Sequence, residues 1–429
     1  MAFSSGSSIP SVSGRKVYVE GMGCALSRAD AEGLANVLRD MGAVLVSDMV
    51  EAEVVFINGC TVRESSDIKL ASKVKQAKRL GAQVVVTGCT AEANPAAAKG
   101  AFLLPLRDRE KYLGRARGGG SSFEALPSLL PPAPSGPVYM LPIGSGCGGN
   151  CSFCVTRLAR GRIISYPSET VIKLARKAIE AGAAEIDLTA VEINSWGKDT
   201  RESFPDLLRS LGSLEGEFAI RVGMLNPRGL LSWLDDLLDA FEGEKVFKFF
   251  HLPAQSFSDA VLSRMRRGYS SWEVVEIISK VRARFPTAFL ETDVIAGFPG
   301  ETEDDFQATV DWLEKLRFDK VNIARYSPRP MTEAAGMPQL REDEKKRRSD
   351  VITALWRRLA LEINSSYVGR PMRALLVEAK GSQAICRAEN YKQLVSNAIP
   401  EKRGWGYFYV ERATPIDVRG RPVALGIAY

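Results

Sequence analysis

Three of the seven cysteines lie close together within the segment GSGCGGNCSFC, with the spacing Cys147-x3-Cys151-x2-Cys154. Glycines on both sides of the first cysteine allow a tight loop in which three thiolates converge. Three thiolates are enough to hold three irons of a 4Fe–4S cluster and to leave the fourth iron open. Structural zinc is the alternative, but it needs four closed ligands, and the only histidine, His251, is distant in sequence. This group, called the compact triad here, therefore predicts an iron–sulfur cluster.

A second set of cysteines, Cys24, Cys60 and Cys89, is spread along the N-terminal part of the chain, and each member follows a glycine. Each also comes shortly after an apolar segment that is typical of a buried strand; the segments are 16–20 (KVYVE), 53–58 (EVVFIN) and 83–87 (QVVVT). In a parallel sheet, the loops after the strands meet at the carboxyl edge. We expect this dispersed triad to hold a second cluster with an open iron. Three unrelated buried thiols are the alternative.

The elements that position both triads follow from the alternation of strand and helix patterns. Residues 15–115 predict a Rossmann-like parallel α/β domain, and the Gly-, Ser- and Pro-rich stretch 116–137 predicts a linker. Residues 138–366 contain six strand–helix units, which favour a partial (β/α)6 barrel with its functional mouth at the strand carboxyl ends, followed by a charged connecting helix. Residues 367–429 predict a small all-β barrel.

Composition and charge narrow the class of protein further. The chain has 429 residues, of which 45% are hydrophobic and 25% charged, and this excludes a disordered tail, a collagen and a simple coiled coil. Without an apolar run long enough to span a membrane or a secretory leader, we expect a cytoplasmic protein with no membrane contact. Residues 341–429 carry 17 Lys and Arg against 10 Asp and Glu, a surplus of +7, whereas the net charge of the whole chain is +6. This asymmetry favours a nucleic-acid partner at the C-terminal end over a merely solvated surface.

The C-terminal segment also carries aromatic residues in a pattern that suits RNA. Trp405, Tyr407 and Tyr409 alternate along a predicted strand and therefore share one face. The cations nearby are Lys392, Arg403 and Arg412. Bases stack on such aromatic side chains among cations. The core of a small barrel is the alternative reading of the same three aromatic residues.

Several longer phrases match a known family. They are 58–69 (NGCTVRESSDIK), 86–95 (VTGCTAEANP), 154–161 (CVTRLARG), 221–227 (RVGMLNP), 251–259 (HLPAQSFSD), 292–306 (TDVIAGFPGETEDDF) and 326–335 (YSPRPMTEAA). The compact triad within a barrel resembles the radical S-adenosylmethionine superfamily, and the dispersed triad in front of it narrows the resemblance to the methylthiotransferases. The C-terminal module resembles the RNA-binding TRAM domain.

The resemblance implies two 4Fe–4S clusters and S-adenosylmethionine as cofactors. The compact-triad cluster would bind and reductively cleave S-adenosylmethionine to a radical that abstracts hydrogen from C2 of a modified adenine. The dispersed-triad cluster would present a methylated sulfur. The resemblance further implies a tRNA anticodon loop as partner, an electron donor such as ferredoxin or flavodoxin, and a sulfur source.

The phrase at 154–167 (CVTRLARGRIISYP) is most similar to the archaeal and eukaryotic branch, which acts on N6-threonylcarbamoyladenosine beside the anticodon. Two related substrates stay open, namely isopentenyladenosine in tRNA and an aspartate of a ribosomal protein. A different class, a metal-stabilised RNA-binding protein without catalysis, would need closed four-ligand sites.

Candidate contacts to S-adenosylmethionine lie at the ends of three barrel strands. Glu192 lies in a stretch (TAVEINSWG) that departs from the usual family form, and its carboxylate would meet the methionine ammonium. Asn226 could meet the ribose or carboxylate, or act as a cap. Gly297 and Glu301, in the segment GFPGE, could approach the adenosine or form an ordinary turn. Arg157 and Arg160, after the compact triad, would meet substrate phosphate or the electron donor unless they are solvated surface residues.

Overall fold

Strands and helices alternate along most of the chain, whose computed structural model describes residues 9–112, 136–399 and 404–423. The predicted linker at 116–137 lies, apart from its last two residues, outside the described residues, and so does Arg403. The helices are α1 Ala25–Asp40, α2 Glu64–Arg79, α3 Cys89–Ala93, α4 Arg109–Tyr112, α5 Thr156–Arg160, α6 Ser168–Glu180, α7 Phe204–Gly212, α8 Leu234–Phe241, α9 Asp259–Arg264, α10 Ser271–Arg284, α11 Glu303–Leu316 and α12 Glu342–Ser365. The strands are β1 Lys16–Gly21, β2 Val44–Leu45, β3 Val54–Gly59, β4 Gln83–Gly88, β5 Phe102–Leu103, β6 Val138–Pro142, β7 Gly144–Ser145, β8 Ile164–Ser165, β9 Glu185–Thr189, β10 Ala219–Val222, β11 Phe249–His251, β12 Phe289–Ala296, β13 Lys320–Arg325, β14 Pro371–Lys380, β15 Gln383–Ala388, β16 Gln393–Ser396, β17 Trp405–Ala413 and β18 Val418–Val423.

The first five strands form one parallel sheet in the order β2-β1-β3-β4-β5. Strand β3 is buried along its whole length, and β4 is buried after its first residue, because apolar clusters cover both faces of the sheet. The predicted Rossmann-like parallel α/β arrangement is confirmed. The sequence did not predict β2 and β5, since two residues are too few to show an alternating pattern.

Six parallel strands form the central part in chain order. They pair as β10-β9-β6 and as β11-β12-β13, and an isolated parallel bridge between Ile220 and Val246 joins the two groups. Helices cover the outside, and the largest apolar core of the described residues lies between them and the strands. The expected partial barrel is confirmed. Two capping boxes, Ser270 with Glu273 and Thr302 with Asp305, fix where α10 and α11 begin.

The C-terminal strands form a closed barrel in the order β14-β15-β16-β18-β17, which confirms the predicted all-β module. Its interior contains Phe408 and Val410. Because side chains alternate along β17, Trp405, Tyr407 and Tyr409 face away from this interior. The alternative that these aromatic residues form the barrel core is therefore wrong.

The C-terminal barrel docks against the amino ends of the central strands, opposite the mouth of the partial barrel. Tyr391 packs on Phe247 and Phe249 with ring centroids 5.1 Å and 4.8 Å away, and Leu375 and Val377 join the same apolar cluster. The docked barrel thus closes one end of the central strands and leaves the carboxyl ends for chemistry. Among the described residues, no helix has the length and apolar character needed to cross a membrane.

Candidate active site

The compact triad lies in the loop between β7 and α5, at the carboxyl end of the first barrel strand. Gly146 has a φ of 75°, and a β-carbon there would lie 1.8 Å from the carbonyl oxygen of Arg162, so only glycine fits this turn. A bond of 3.2 Å from Cys147 N to Gly161 O closes the loop. All three cysteines remain partly exposed, as residues that face the mouth of a barrel should be.

Glu192 lies directly beside the compact triad and is only 2% exposed. Its Oε2 accepts hydrogen bonds from Ser195 Oγ at 2.6 Å and from Gly148 N at 3.2 Å, and Arg228 Nη2 lies 2.9 Å from its Oε1. Cys147 Sγ is 3.5 Å from the same carboxylate. Burial opposes ionisation, but these donors hold the pKa of Glu192 below its ordinary value. The predicted residue is thus placed at the compact triad as a carboxylate.

Asn226 is buried, and it forms hydrogen bonds within the protein. Its N–H donates to Asn194 Oδ1 at 2.8 Å, and its Oδ1 accepts from Arg228 N at 3.1 Å. The structure therefore gives Asn226 the cap-like alternative role, in which it fixes the position of Arg228. Sequence reasoning missed Arg228, because its pairing with Glu192 joins two strand ends that no local pattern connects.

Glu301 and Gly297 are engaged with the long helix α12. Glu301 Oε2 accepts from Gly297 N at 2.8 Å and from Arg348 Nη1 at 2.7 Å, and a β-carbon at Gly297 would lie 2.5 Å from Lys345 Cγ. Burial raises the pKa of Glu301 although Arg348 opposes the rise. These contacts make Glu301 an anchor of α12, and they give no support to its predicted contact with S-adenosylmethionine.

The dispersed triad meets at the carboxyl edge of the N-terminal sheet. Cys24 precedes α1, Cys60 follows β3 and Cys89 begins α3 after β4. A β-carbon at Gly23 would lie 2.4 Å from Cys60 Cβ, so the chain before Cys24 lies against Cys60. Burial raises the pKa of Cys60 to about 11, and the neighbouring Cys24 and Cys89 thiols add to the rise. The three thiols are close enough to affect each other's ionisation.

Helix α5 connects the two triads. Cys89 and Ala93 pack against Val155 and Ala159 in one small apolar cluster, and Val155 directly follows the last cysteine of the compact triad. Arg160 ends this helix, is 3% exposed, and donates from Nε to Cys89 Sγ at 3.3 Å. The expectation that Arg160 meets a substrate phosphate or an electron donor at the surface is wrong, because its guanidinium is buried beside the dispersed triad.

A second buried arginine contacts the compact triad. Arg267 Nη1 donates to Cys151 Sγ at 3.1 Å, while its other nitrogens donate to Tyr269 Oη at 2.8 Å and to Pro253 O at 3.2 Å. Sequence reasoning missed Arg267. It follows α9, far from the triad in sequence, and only the folded barrel brings the two together.

Two family models match the two parts of the chain that contain the cysteine triads. The radical SAM superfamily matches residues 141–313, and the uncharacterized protein family UPF0004 matches residues 16–103. A Pyrococcus horikoshii protein named "Probable threonylcarbamoyladenosine tRNA methylthiotransferase" is 36% identical over 403 residues, which cover 90% of this chain and 94% of that relative. A Methanocaldococcus jannaschii protein of the same name is 36% identical and covers 85% and 88%. The chain belongs to the radical S-adenosylmethionine methylthiotransferase family.

Solved structures agree on the fold of this methylthiotransferase. A radical S-adenosylmethionine methyltransferase from Kitasatospora setae, bound to tryptophan and a cofactor analogue, superimposes with a TM-score of 0.56 at 14% identity and covers 75% of both chains. At this identity the likeness concerns the architecture alone.

The residues of both triads fit iron–sulfur clusters on chemical grounds. All six are free thiols, and in each triad one sulfur accepts a hydrogen bond from a buried guanidinium, which suits a thiolate. In a cluster each iron takes its own thiolate, so the cysteines need not surround one point. Within the described ranges, no three His, Cys, Asp or Glu side chains form a group that could hold a single metal ion.

The predicted RNA-binding residues of this methylthiotransferase separate into different environments. Lys392 is 2% exposed and bonds to Asp319 Oδ1 and Asn364 Oδ1, both at 2.6 Å. Its assignment to an RNA surface is therefore wrong, because its ammonium anchors the C-terminal barrel to α12 and to the residue that directly precedes β13. Arg403 lies outside the described residues. Trp405 packs on Phe247 of the docking interface.

Two of the predicted RNA contacts remain at the surface. Tyr407 is 43% exposed. Arg412 is exposed and lines a cavity of about 310 Å³ on the C-terminal barrel, together with Arg419, Arg421 and Glu411. Sequence reasoning missed Arg419 and Arg421, which β18 brings beside Arg412. Arg419 pairs with Asp417 and Arg421 pairs with Glu411. Since no carboxylate of the described residues pairs with Arg412, its guanidinium is the cation of this cavity that is left for an RNA phosphate.

Proposed function

We propose that this chain transfers a methylthio group to C2 of N6-threonylcarbamoyladenosine beside the anticodon of tRNA, with S-adenosylmethionine and two 4Fe–4S clusters as cofactors. The compact triad would hold one cluster and the dispersed triad the other. When bound, these cofactors supply radical chemistry at an unactivated C–H bond and a sulfur for transfer. The observation that carries the proposal is the packing of Cys89 against Val155, next to Cys154, which puts the two triads beside one another.

Residues of the chain itself would bind and orient S-adenosylmethionine at the compact triad. Glu192 offers a buried carboxylate to the ammonium of S-adenosylmethionine, and Ser195 and Gly148 fix its direction. Arg228 is a neighbouring cation for the methionine carboxylate, and Asn226 sets its backbone position. A buried carboxylate beside a partly exposed guanidinium would orient a zwitterionic amino acid group.

Support for a tRNA substrate comes from the names of the relatives and from the charge of the C-terminal barrel. The cavity lined by Arg412, Arg419 and Arg421 suits a phosphate backbone. A ferredoxin or flavodoxin would supply electrons and a separate donor would supply sulfur. The cytoplasmic location stays a prediction.

The experiment that tests this proposal is nucleoside mass spectrometry of tRNA from a strain that lacks the gene. We expect the 2-methylthio form of threonylcarbamoyladenosine to disappear and the unmodified nucleoside to accumulate. Loss of methylthio-isopentenyladenosine instead would move the substrate to the related nucleoside. An unchanged tRNA pool together with an unmodified ribosomal-protein aspartate would contradict an RNA substrate.

A further inference from the structure

The two buried arginines at the triads share one feature, since each donates a hydrogen bond to the sulfur of one cysteine. Arg160 Nε is 3.3 Å from Cys89 Sγ, and Arg267 Nη1 is 3.1 Å from Cys151 Sγ. Both residues are buried. A buried guanidinium is always charged and is costly unless an anion accompanies it. Each arginine therefore points to a negative charge at the sulfur that it contacts.

The two arginines differ in how they are held. Arg160 Nη2 pairs with Asp30 at 2.5 Å, so a carboxylate on α1 balances part of its charge and fixes its direction. Arg267 bonds otherwise to neutral oxygens of Tyr269 and Pro253, and no carboxylate among the described residues lies within ion-pair distance of it. The sulfur of Cys151 is thus the natural anionic partner of Arg267.

Arg160 also links the central barrel to the N-terminal sheet. It belongs to the element that follows the compact triad, yet it contacts a cysteine of the dispersed triad. Its position therefore depends on the packing of α5 on α3, which also brings the triads together. Arg267 stays within the central barrel. Each triad has its own cation, supplied by the central part of the chain.

We propose that Arg160 and Arg267 are positioning residues that each hold one thiolate ligand and raise the reduction potential of one cluster, Arg160 for the dispersed triad and Arg267 for the compact triad. One-electron reduction adds negative charge to a cluster, and a fixed cation with an N–H bond to a ligand sulfur stabilises the reduced form. The proposal rests on the proposed function only in that both triads hold clusters.

The test is a redox titration with dithionite, followed by electron paramagnetic resonance, on full-length protein. Two parent variants isolate the clusters: one has alanine at all three positions of the compact triad, and the other has alanine throughout the dispersed triad. Arg160→Gln and Arg267→Gln are placed in each parent. We expect Arg160→Gln to make reduction of the dispersed-triad cluster about tenfold less favourable, a shift of about 59 mV to lower potential for one electron. Arg267→Gln should leave that cluster unchanged.

For the compact-triad cluster, we expect Arg267→Gln to lower the potential and Arg160→Gln to leave it unchanged. Each glutamine variant is therefore the matched control for the other. Asp30→Asn separates the charge of the ion pair from the sulfur contact, since it removes the negative charge while the amide oxygen can still accept from Arg160 Nη2 and hold the N–H···S bond in place. It should not lower the potential, because it removes negative charge. If either glutamine variant loads no iron, the methionine variant replaces it, and we expect a potential below that of its parent because methionine fills a similar volume but has neither the positive charge nor an N–H donor.

Unshifted potentials in iron-loaded glutamine variants, or in the methionine variants that replace them, would overturn the proposal and leave the proposed function intact. Equal shifts of both clusters by one substitution would also overturn it. A wild-type protein that takes up no iron on reconstitution would instead contradict the proposed function.

Discussion

At the scale of single residues, the two triads differ in their access to solvent. In the dispersed triad Cys60 and Cys89 are buried and Cys24 is exposed, whereas every cysteine of the compact triad is partly exposed. Solvent therefore reaches the dispersed triad at Cys24 and the compact triad at all three of its cysteines. Substitution of single cysteines can separate the tasks of the two triads.

Replacing Cys151 by alanine should remove the cluster of the compact triad and abolish cleavage of S-adenosylmethionine. Replacing Cys60 by alanine should remove only the other cluster, so that reductive cleavage to 5′-deoxyadenosine continues while methylthio insertion stops. Chromatography of both products, with iron analysis of each variant, measures the difference. If Cys60→Ala abolished cleavage in a folded protein, the assigned roles would be wrong.

Glu192→Gln should weaken binding of S-adenosylmethionine by about tenfold or more, because a hydrogen bond to a charged group is worth roughly 1.5–3 kcal/mol. Glu301→Gln is the matched control, since Glu301 is an equally buried carboxylate that pairs with Arg348 of α12. Equilibrium dialysis of the reconstituted protein should show weaker binding for the first variant and normal binding for the second. Equal affinities for Glu192→Gln and wild type would remove Glu192 from the cofactor site.

The cysteine positions could be predicted from the sequence because they depend on local spacing and on the phase of each strand. The contacts of Arg160 and Arg267 could not be predicted in this way. They depend on how α5 packs on α3 and on how the turn after α9 folds over the barrel mouth. Residues that act between elements leave no periodic signal.

At the scale of elements, a buried ion pair joins the C-terminal barrel to the central strands. Lys392 lies between Asp319 and Asn364 with little exposure. Breaking such a pair costs roughly 3–5 kcal/mol because one charge stays buried without a partner. Lys392→Met should therefore lower the free energy of unfolding by about that amount, whereas Arg412→Ala at the surface should change it by about 0.5 kcal/mol or less. Urea denaturation of both variants tests this, and equal stabilities would contradict the anchoring role.

Glu185 at the start of β9 predicts a pH dependence of the same interface. Burial is the main cause that raises the pKa of Glu185 well above its ordinary value, and the neighbouring Asp187 raises it further. Arg387 of β15 opposes the rise. The folded protein therefore keeps a proton that the unfolded chain loses above about pH 4, so the stability from this group falls as the pH rises towards the folded pKa. The Glu185→Gln variant has no ionisable group at this position, so it does not lose stability in this way. Its melting temperature should exceed that of wild type at pH 7 and approach it near pH 4.

The measurement for Glu185→Gln is thermal denaturation across that pH range, with Glu169→Gln at the start of α6 as the control. Glu169 is an exposed residue, so Glu169→Gln should change the melting temperature much less than Glu185→Gln does. A Glu185→Gln profile parallel to that of wild type would mean that Glu185 is ionised in the folded protein.

The elements themselves were predictable to different degrees. Long apolar strands such as β3 and β4 are clear from their composition, because helices cover them on both faces. The docking of the C-terminal barrel was not predictable, since Lys392 and Trp405 look like surface residues in the sequence. Their partners Asp319 and Phe247 come from distant segments.

At the scale of the whole molecule, the C-terminal barrel is part of the folded body. Removing it would expose the buried Phe247 and Phe249 and leave Asp319 without its cation. A truncated chain would therefore lose stability as well as positive charge. Substitutions at the surface of the barrel are the cleaner way to measure its contribution to tRNA binding.

Arg412→Ala should weaken tRNA binding and reduce the slope of log affinity against log salt by about 1, as expected for the loss of one phosphate contact. Arg358→Ala on α12 is the control, because Arg358 is exposed but pairs with Glu314 and Glu362. Filter-binding titrations over a salt series give both slopes. If the slope of Arg412→Ala equals that of wild type, this cavity does not contact phosphate.

The most direct test of the central claim uses the full chain reconstituted with iron and sulfide, S-adenosylmethionine, a low-potential reductant and tRNA that contains N6-threonylcarbamoyladenosine. Mass spectrometry of the digested tRNA should show one methylthio group added to that nucleoside, and no addition when either triad is replaced by alanine. Product formation that persists without the dispersed triad, or cleavage of S-adenosylmethionine with no methylthio product in the wild-type reaction, would contradict a methylthiotransferase built on two cooperating cysteine triads.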